Sequence, residues 1–103
     1  MPWQITANLP QDATVKWTRH NVSTYRINVH VFENGRDQDE TQDLAYTGRT
    51  QMRKNPLRTG DLGLTLINPT HSDSTLYTGT VCRDGDVLWE RQVHLNVKAR
   101  RHY

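Results

Sequence analysis

At 103 residues the chain is long enough for one domain with a modest core and too short for two. A formal net charge of +2, with 13 basic and 11 acidic side chains interspersed, argues against a nucleic-acid surface, and a hydrophobic share of 34% with a mean hydropathy of -0.85 favours thin, alternating strands over thick helices. No apolar run approaches a membrane span, Met1-Pro2-Trp3-Gln4-Ile5 lacks the regions of a signal peptide, and a single cysteine excludes an internal disulfide or a cysteine-rich zinc site.

In chain order the pattern is one of short strands separated by turn signals. Trp3 to Ala7 alternates and is broken by Asn8-Leu9-Pro10-Gln11-Asp12. Thr14 to Thr18 alternates again, with Val15 and Trp17 on one face because strand side chains have period two, and Trp17 is the natural centre of a core. After a polar loop over residues 20–24, the run Tyr25 to Phe32 places Ile27, Val29 and Val31 on one side. Asn34-Gly35 then marks a hairpin turn.

Residues 37–43 are acidic and polar and read as an exposed loop. Leu44-Ala45-Tyr46 and Gly48 to Met52 are weak strand candidates at a sheet edge, and Arg53 to Gly60 is a turn region in which Pro56 cannot donate to a ladder. Leu62, Leu64 and Leu66 point one way until Pro69 ends the strand, and residues 69–73 have room for one short helical turn. Thr75 to Cys82 and Gln92 to Val97 flank the turn Arg83-Asp84-Gly85-Asp86, which completes a second hairpin. Seven to nine short strands without a sustained helical period predict an all-β antiparallel sandwich over residues 1–98, followed by a basic tail, residues 99–103.

Little here carries catalytic chemistry. The serines at 23, 72 and 74 lack a nucleophile elbow, the carboxylates have loop spacing, and there is no phosphate loop or dinucleotide fingerprint, so neither an enzyme nor a cofactor is expected. A metal site from Cys82, His94 and His30 is conceivable, but scattered histidines on a strand surface are usually solvated, and none is assigned. Cys82 reads as an inert thiol ahead of a reactive one or an intermolecular bridge. Asn21-Val22-Ser23 fits the N-glycosylation pattern and gives slight support for an extracellular origin.

The order and spacing of several residues resemble a variable-type immunoglobulin domain, closest to the butyrophilin-like and costimulatory-ligand group of cell-surface receptors. Trp17 matches the core Trp of strand C, Arg49 and Asp73 match the Arg–Asp pair between strand D and the corner before strand F, and Leu64 and Leu66 match strand E. Asp73-Ser74-Thr75-Leu76-Tyr77 matches Asp-x-Gly-x-Tyr, with Tyr77 as the corner tyrosine and Thr75 in place of the Gly. Val93 to Val97 matches strand G.

The resemblance also implies a disulfide that this sequence lacks. Gly79 stands where the family has the strand F cysteine, and register puts its strand B partner near Trp3. The first strand is missing from these residues, so the sandwich is expected to be N-terminally shortened. Losing such a bridge removes about 2–5 kcal/mol. Trp3 facing the small Gly79 is the packing remedy that follows, with Trp3, Trp17, Arg49, Asp73, Tyr77 and Gly79 as the structural set.

By analogy with the family, the outward face of the G-F-C-C′ sheet is the predicted contact surface for a protein partner, drawn from Lys16, His30, Phe32, Thr80, Cys82, Arg83, Leu88, Trp89, Glu90 and Gln92. Trp89 reads equally as an interface anchor and as a core or rim residue. The leading function is a recognition module of an immune-type cell-surface or secreted protein, without nucleic-acid or membrane contact of its own. The alternative is a self-associating domain, dimerised by strand exchange or through Cys82, and an intracellular disulfide-free domain is a third reading.

Overall fold

A computed structural model describes residues 1–20 and 26–98; the Asn21 acceptor and the basic tail lie outside the described residues. Among the described residues there are seven strands: β1 (Thr14–His20), β2 (Arg26–Glu33), β3 (Arg36–Asp37), β4 (Thr50–Met52), β5 (Leu64–Leu66), β6 (Thr75–Arg83) and β7 (Asp86–Leu95). One sheet has five strands in the order β3-β2-β1-β6-β7, all neighbours antiparallel; the other pairs β4 with β5. The longest described helix is a single turn, α1 (Pro56–Thr59).

Both predicted hairpins form where an Asn-Gly or Asp-Gly pair allows positive φ at two successive residues. Asn34 and Gly35 have φ of 55° and 77°, and Asp84 and Gly85 have 51° and 83°, a turn whose twist suits the flanking strands. The N-terminal residues extend the smaller sheet. Met1 and Leu64 each donate to the other's carbonyl, Leu62 N–H donates to the Trp3 carbonyl and Ile5 N–H to the Gly60 carbonyl, so residues 1–5 run antiparallel beside the approach to β5. Gly60 is needed there: its φ is 78°, and a Cβ would fall against the Ile5 carbonyl oxygen that lies beside it.

Between the layers lie Trp3, Val15, Trp17, Val29, Tyr46, Leu57, Leu62, Leu64, Tyr77 and Val81, all buried. Fully burying an aliphatic side chain contributes about 1.5–3 kcal/mol, so this shared core is the main force holding the sheets together. Trp17 is 0% exposed, and its Nε1–H donates to the Leu62 carbonyl at 2.9 Å, which ties the two layers at their centre. Trp3 meets it edge-on, with ring centroids 5.8 Å apart.

At one end of the sandwich a relay of hydroxyls replaces apolar packing. Arg19 Nη1 donates to Tyr46 Oη at 2.6 Å, Tyr46 and Tyr77 hydroxyls lie 3.0 Å apart, and Tyr77 Oη donates to the Asp73 carbonyl at 2.7 Å. Since Tyr77 spends its one proton on that carbonyl, Tyr46 is the donor between the two tyrosines. Burial, and then the Tyr46 hydrogen bond, pushes the Tyr77 phenol well above its usual range. The Asp73 carboxylate receives both Arg49 Nη2 and the Thr70 backbone N–H. Burial works to raise its pKa, but those donors outweigh it and hold the carboxyl below the usual carboxylate range.

Several sequence expectations are corrected. Residues 39–46 are not an open loop and a strand: Asp39–Thr41 and Leu44–Tyr46 form 3-10 turns, the second started by Asp43 accepting from Ala45 N, and Tyr46 enters the core. The parity of β2 is also shifted. Trp17 pairs with His30 but Thr18 pairs with Asn28, so Val29 is an extra residue in a bulge. Val29 and His30 are both buried, and Val31 falls on the other side, opposite Lys16.

Candidate functional site

Antiparallel pairing puts side chains directly opposite one another on the same face, so the register of β1, β2, β6 and β7 defines the outward surface of the large sheet. One row runs Val31, Lys16, Thr80, Glu90; the next runs Asn28, Thr18, Thr78, Gln92; a third brings Thr14, Cys82 and Val87 together. Thr18, Thr78, Thr80 and Val31 are buried, Lys16 and Cys82 half-buried, and Glu90 and Gln92 exposed. The centre is thus a close-set, threonine-rich floor, with charged and amide groups standing at the β7 side.

The hairpin end of this face is different in character. A second bulge, between Val81 and Cys82, leaves Val87 at 56% and Leu88 at 42% exposure, so two aliphatic side chains stand in water beside the turn. Arg83 closes that end by ion pairing with Asp12 at 3.2 Å.

Of the residues named from sequence, Lys16, Thr80, Cys82, Glu90 and Gln92 share the outward face, with Arg83 and Leu88 at its edge. Three do not belong there. His30 is 5% exposed and turned between the layers, its Nδ1 2.8 Å from Thr50 Oγ1 and its Nε2 2.8 Å from Asp37 Oδ1. Phe32 sits opposite the buried Val15 and packs on the core. Trp89 sits opposite the buried Val81 and also packs on the core, on the inward side of β7.

Thr18, Thr78, Val31 and Val87 were missed. The first two share the parity of Lys16 and Thr80 and were legible from it; Val31 was hidden by the bulge, which no residue type announces.

His30 faces inward and Cys82 outward, so the conceivable metal trio is not assembled, and among the described residues no group of three potential ligands is gathered elsewhere. Cys82 is a free, half-buried thiol. Away from the face, a groove of about 530 Å³ runs between residues 1–4 and the β7 side chain Arg91, and its Arg53 is paired to Asp61 at 3.0 Å.

No protein-family model matches the chain. Over 70 residues, 68% of its length, the chain is 36% identical to myelin-oligodendrocyte glycoprotein of Macaca fascicularis, and it spans 28% of that protein. Among solved structures it resembles the human B7-H4 IgV-like domain, with a TM-score of 0.68 and 23% identity over 82% of this chain and 70% of that one. It also resembles bovine butyrophilin, with a TM-score of 0.74 and 20% identity over 93% of this chain and 44% of that one. With its single cysteine at position 82, on the outward face and away from the core, the chain is a variable-type immunoglobulin domain, similar in fold to bovine butyrophilin and the B7-H4 IgV-like domain and built without the inter-sheet disulfide.

Proposed function

We propose that the chain is the non-enzymatic recognition domain of an immune-type protein displayed at or secreted from the cell surface, and that it binds a protein partner through the outward face of its five-stranded sheet. The observation that carries this reading is the row Lys16, Thr80, Glu90 across three adjacent strands, with Gln92 and Cys82 in flanking rows. Paired strands hold these groups in fixed relative positions, so little ordering entropy is lost when a partner docks. Val87 and Leu88 supply apolar contact at one end, the small threonines allow close approach, and the charged groups at Lys16 and Glu90 fix orientation.

The test is staining of a panel of immune cells with a fluorescent tetramer of the domain, compared with a tetramer carrying Lys16→Glu, Thr80→Arg and Gln92→Glu. Staining by the wild type that is lost in the triple variant, while its circular dichroism is unchanged, is the expected result. Equal staining by a folded triple variant would move the contact surface elsewhere.

A further inference from the structure

The hairpin between β2 and β3 turns on Asn34 and Gly35, both exposed, with φ of 55° and 77°. A Cβ built at Gly35 meets nothing within 4 Å, and among the described residues the Gly35 backbone N–H donates to no carbonyl. A glycine after an asparagine leaves its backbone nitrogen the least hindered path to the asparagine side-chain carbonyl carbon. Every other asparagine is blocked: Asn8, Asn21, Asn28 and Asn96 precede leucine or valine, and Asn55 and Asn68 precede proline, which has no N–H to lose.

We propose that Asn34 is a site of spontaneous deamidation, gated by the pairing of β3, and that the isoaspartate formed there uncouples β3 from the large sheet. The Gly35 nitrogen bonds to Asn34 Cγ and gives up its proton, the Cγ–Nδ2 bond breaks, and ammonia leaves carrying that proton. A cyclic imide remains, and water from the solvent adds to one of its two carbonyls. Addition at Cγ gives aspartate; addition at the main-chain carbon routes the backbone through the side chain and gives isoaspartate.

The closed turn holds this reaction back, because cyclisation swings the Gly35 nitrogen toward Cγ and the two-residue turn fixes the backbone angles between them. Few groups keep the turn closed. β3 supplies only the pairs Phe32 with Asp37 and Glu33 with Arg36. Beyond them, Gln38 Nε2 donates to the Glu33 carbonyl at 2.7 Å, Gln38 N–H donates to the Val31 carbonyl at 2.9 Å, and Asp37 Oδ1 lies 2.8 Å from His30 Nε2. A short, exposed ladder of this kind opens at far lower free energy than the core. The Asp84-Gly85 turn is the internal comparison: its φ angles have the same signs, but the whole length of β6 and β7 stands behind it, and an ionised carboxylate is a poor electrophile. Isoaspartate adds one carbon to the backbone of the Asn34 turn and a negative charge, so the Glu33–Arg36 pair loses its register and β3 comes away from β2.

The test is incubation of the purified chain for weeks at body temperature in mildly alkaline buffer, with peptide mapping by mass spectrometry, beside a synthetic peptide of residues 31–38. Asn34 is expected to convert to isoaspartate and aspartate ahead of every other asparagine, and more slowly than in the peptide. Asp37→Ala and Gln38→Ala each remove one tie on β3 and are expected to speed conversion by roughly two- to tenfold while circular dichroism stays unchanged. In the isoaspartate product the Gln38 amide loses its protection from hydrogen exchange.

An Asn34 that stays intact in the chain after the peptide has fully converted overturns the proposal, as does earlier conversion at another asparagine. A rate equal to that of the peptide, or unchanged in both variants, overturns the gating by β3, and an isoaspartate product with Gln38 still protected overturns its release. These readouts use the purified chain alone, so they stand or fall separately from cell staining.

Discussion

The indole of Trp3 lies directly over Gly79: a Cβ added at position 79 would sit 2.7 Å from Cζ3 of Trp3 and 3.1 Å from Cζ2 of Trp17. Where the family's domains join their sheets by sulfur, this one stacks a large ring on a residue with no side chain. The two positions are complementary in volume, and each is intelligible only in terms of the other.

Gly79→Ala is accordingly expected to destabilise the domain by about 1–3 kcal/mol through overpacking, since the atoms it meets belong to two rings held in the core. Trp3→Ala leaves a cavity and costs more, about 3–5 kcal/mol. Urea unfolding monitored by tryptophan fluorescence measures both; an unchanged midpoint for Gly79→Ala would show that the ring can move aside freely.

The same geometry predicts that the covalent link can be rebuilt. In a Cys82→Ser background, Trp3→Cys alone and Gly79→Cys alone are each destabilising, while the double variant forms a disulfide and is more stable oxidised than reduced by about 2–4 kcal/mol. The check is thiol titration together with unfolding under oxidising and reducing conditions. Two titratable thiols in the oxidised, folded double variant would mean that the positions are not in bonding reach.

Much of this arrangement was legible in the residues. Asn34-Gly35 and Asp84-Gly85 announced their turns by the positive φ they permit, the alternation around Trp17 fixed the inner face of β1, and the run from Asp73 to Tyr77 placed the corner. What was not legible came from bulges and from local turn chemistry. A bulge inserts one residue into a period-two count, so everything beyond Val29 changes face, and His30 and Val31 exchange sides. Analogy with the family points Phe32 and Trp89 outward, and their pairing with Val15 and Val81 turns them in. Tyr46 was lost because Asp43 starts a 3-10 turn that a strand-period reading does not anticipate.

The Arg49–Asp73 pair is expected to be costly to break and to make stability fall in acid. The Asp73 side chain is 5% exposed and that of Arg49 27%, so removing one partner strands the other: Arg49→Ala costs about 3–5 kcal/mol. Asp73 has a lowered pKa in the folded chain. Its contribution is therefore full above the unfolded value of about 3.9 and is lost as pH falls through the folded value. Unfolding free energy measured from neutral pH downwards should decline more steeply for the wild type than for Asp73→Asn, and parallel curves would refute the linkage. Reversing both charges should recover part of the loss caused by Arg49→Asp alone.

The hydroxyl relay gives an ordered pair of effects. Tyr77→Phe deprives the buried Asp73 carbonyl and the Tyr46 hydroxyl of their partner together, with an expected cost of about 1–3 kcal/mol. Tyr46→Phe leaves the Tyr77–Asp73 bond in place but removes the acceptor for Arg19, whose guanidinium retains the Ser72 carbonyl at 3.2 Å and the faces of both rings, so its cost should be the smaller. Thermal unfolding of the two single variants and the double variant decides this. Additive losses would indicate that the hydroxyls act independently rather than as one chain.

Trp89 separates stability from recognition. Because it packs on the core from a half-buried position opposite Val81, Trp89→Ala is expected to lower unfolding free energy by about 2–4 kcal/mol, whereas Lys16→Ala and Gln92→Ala, on the outward face, change it by no more than about 0.5 kcal/mol. Binding should follow the opposite order. At a temperature where all three variants remain folded, the Lys16 and Gln92 changes reduce partner staining and the Trp89 change leaves it near the wild-type level. A Trp89→Ala domain of undiminished stability that no longer stains cells would reassign this indole to the contact surface, and the inward face of β7 would then have to open on binding.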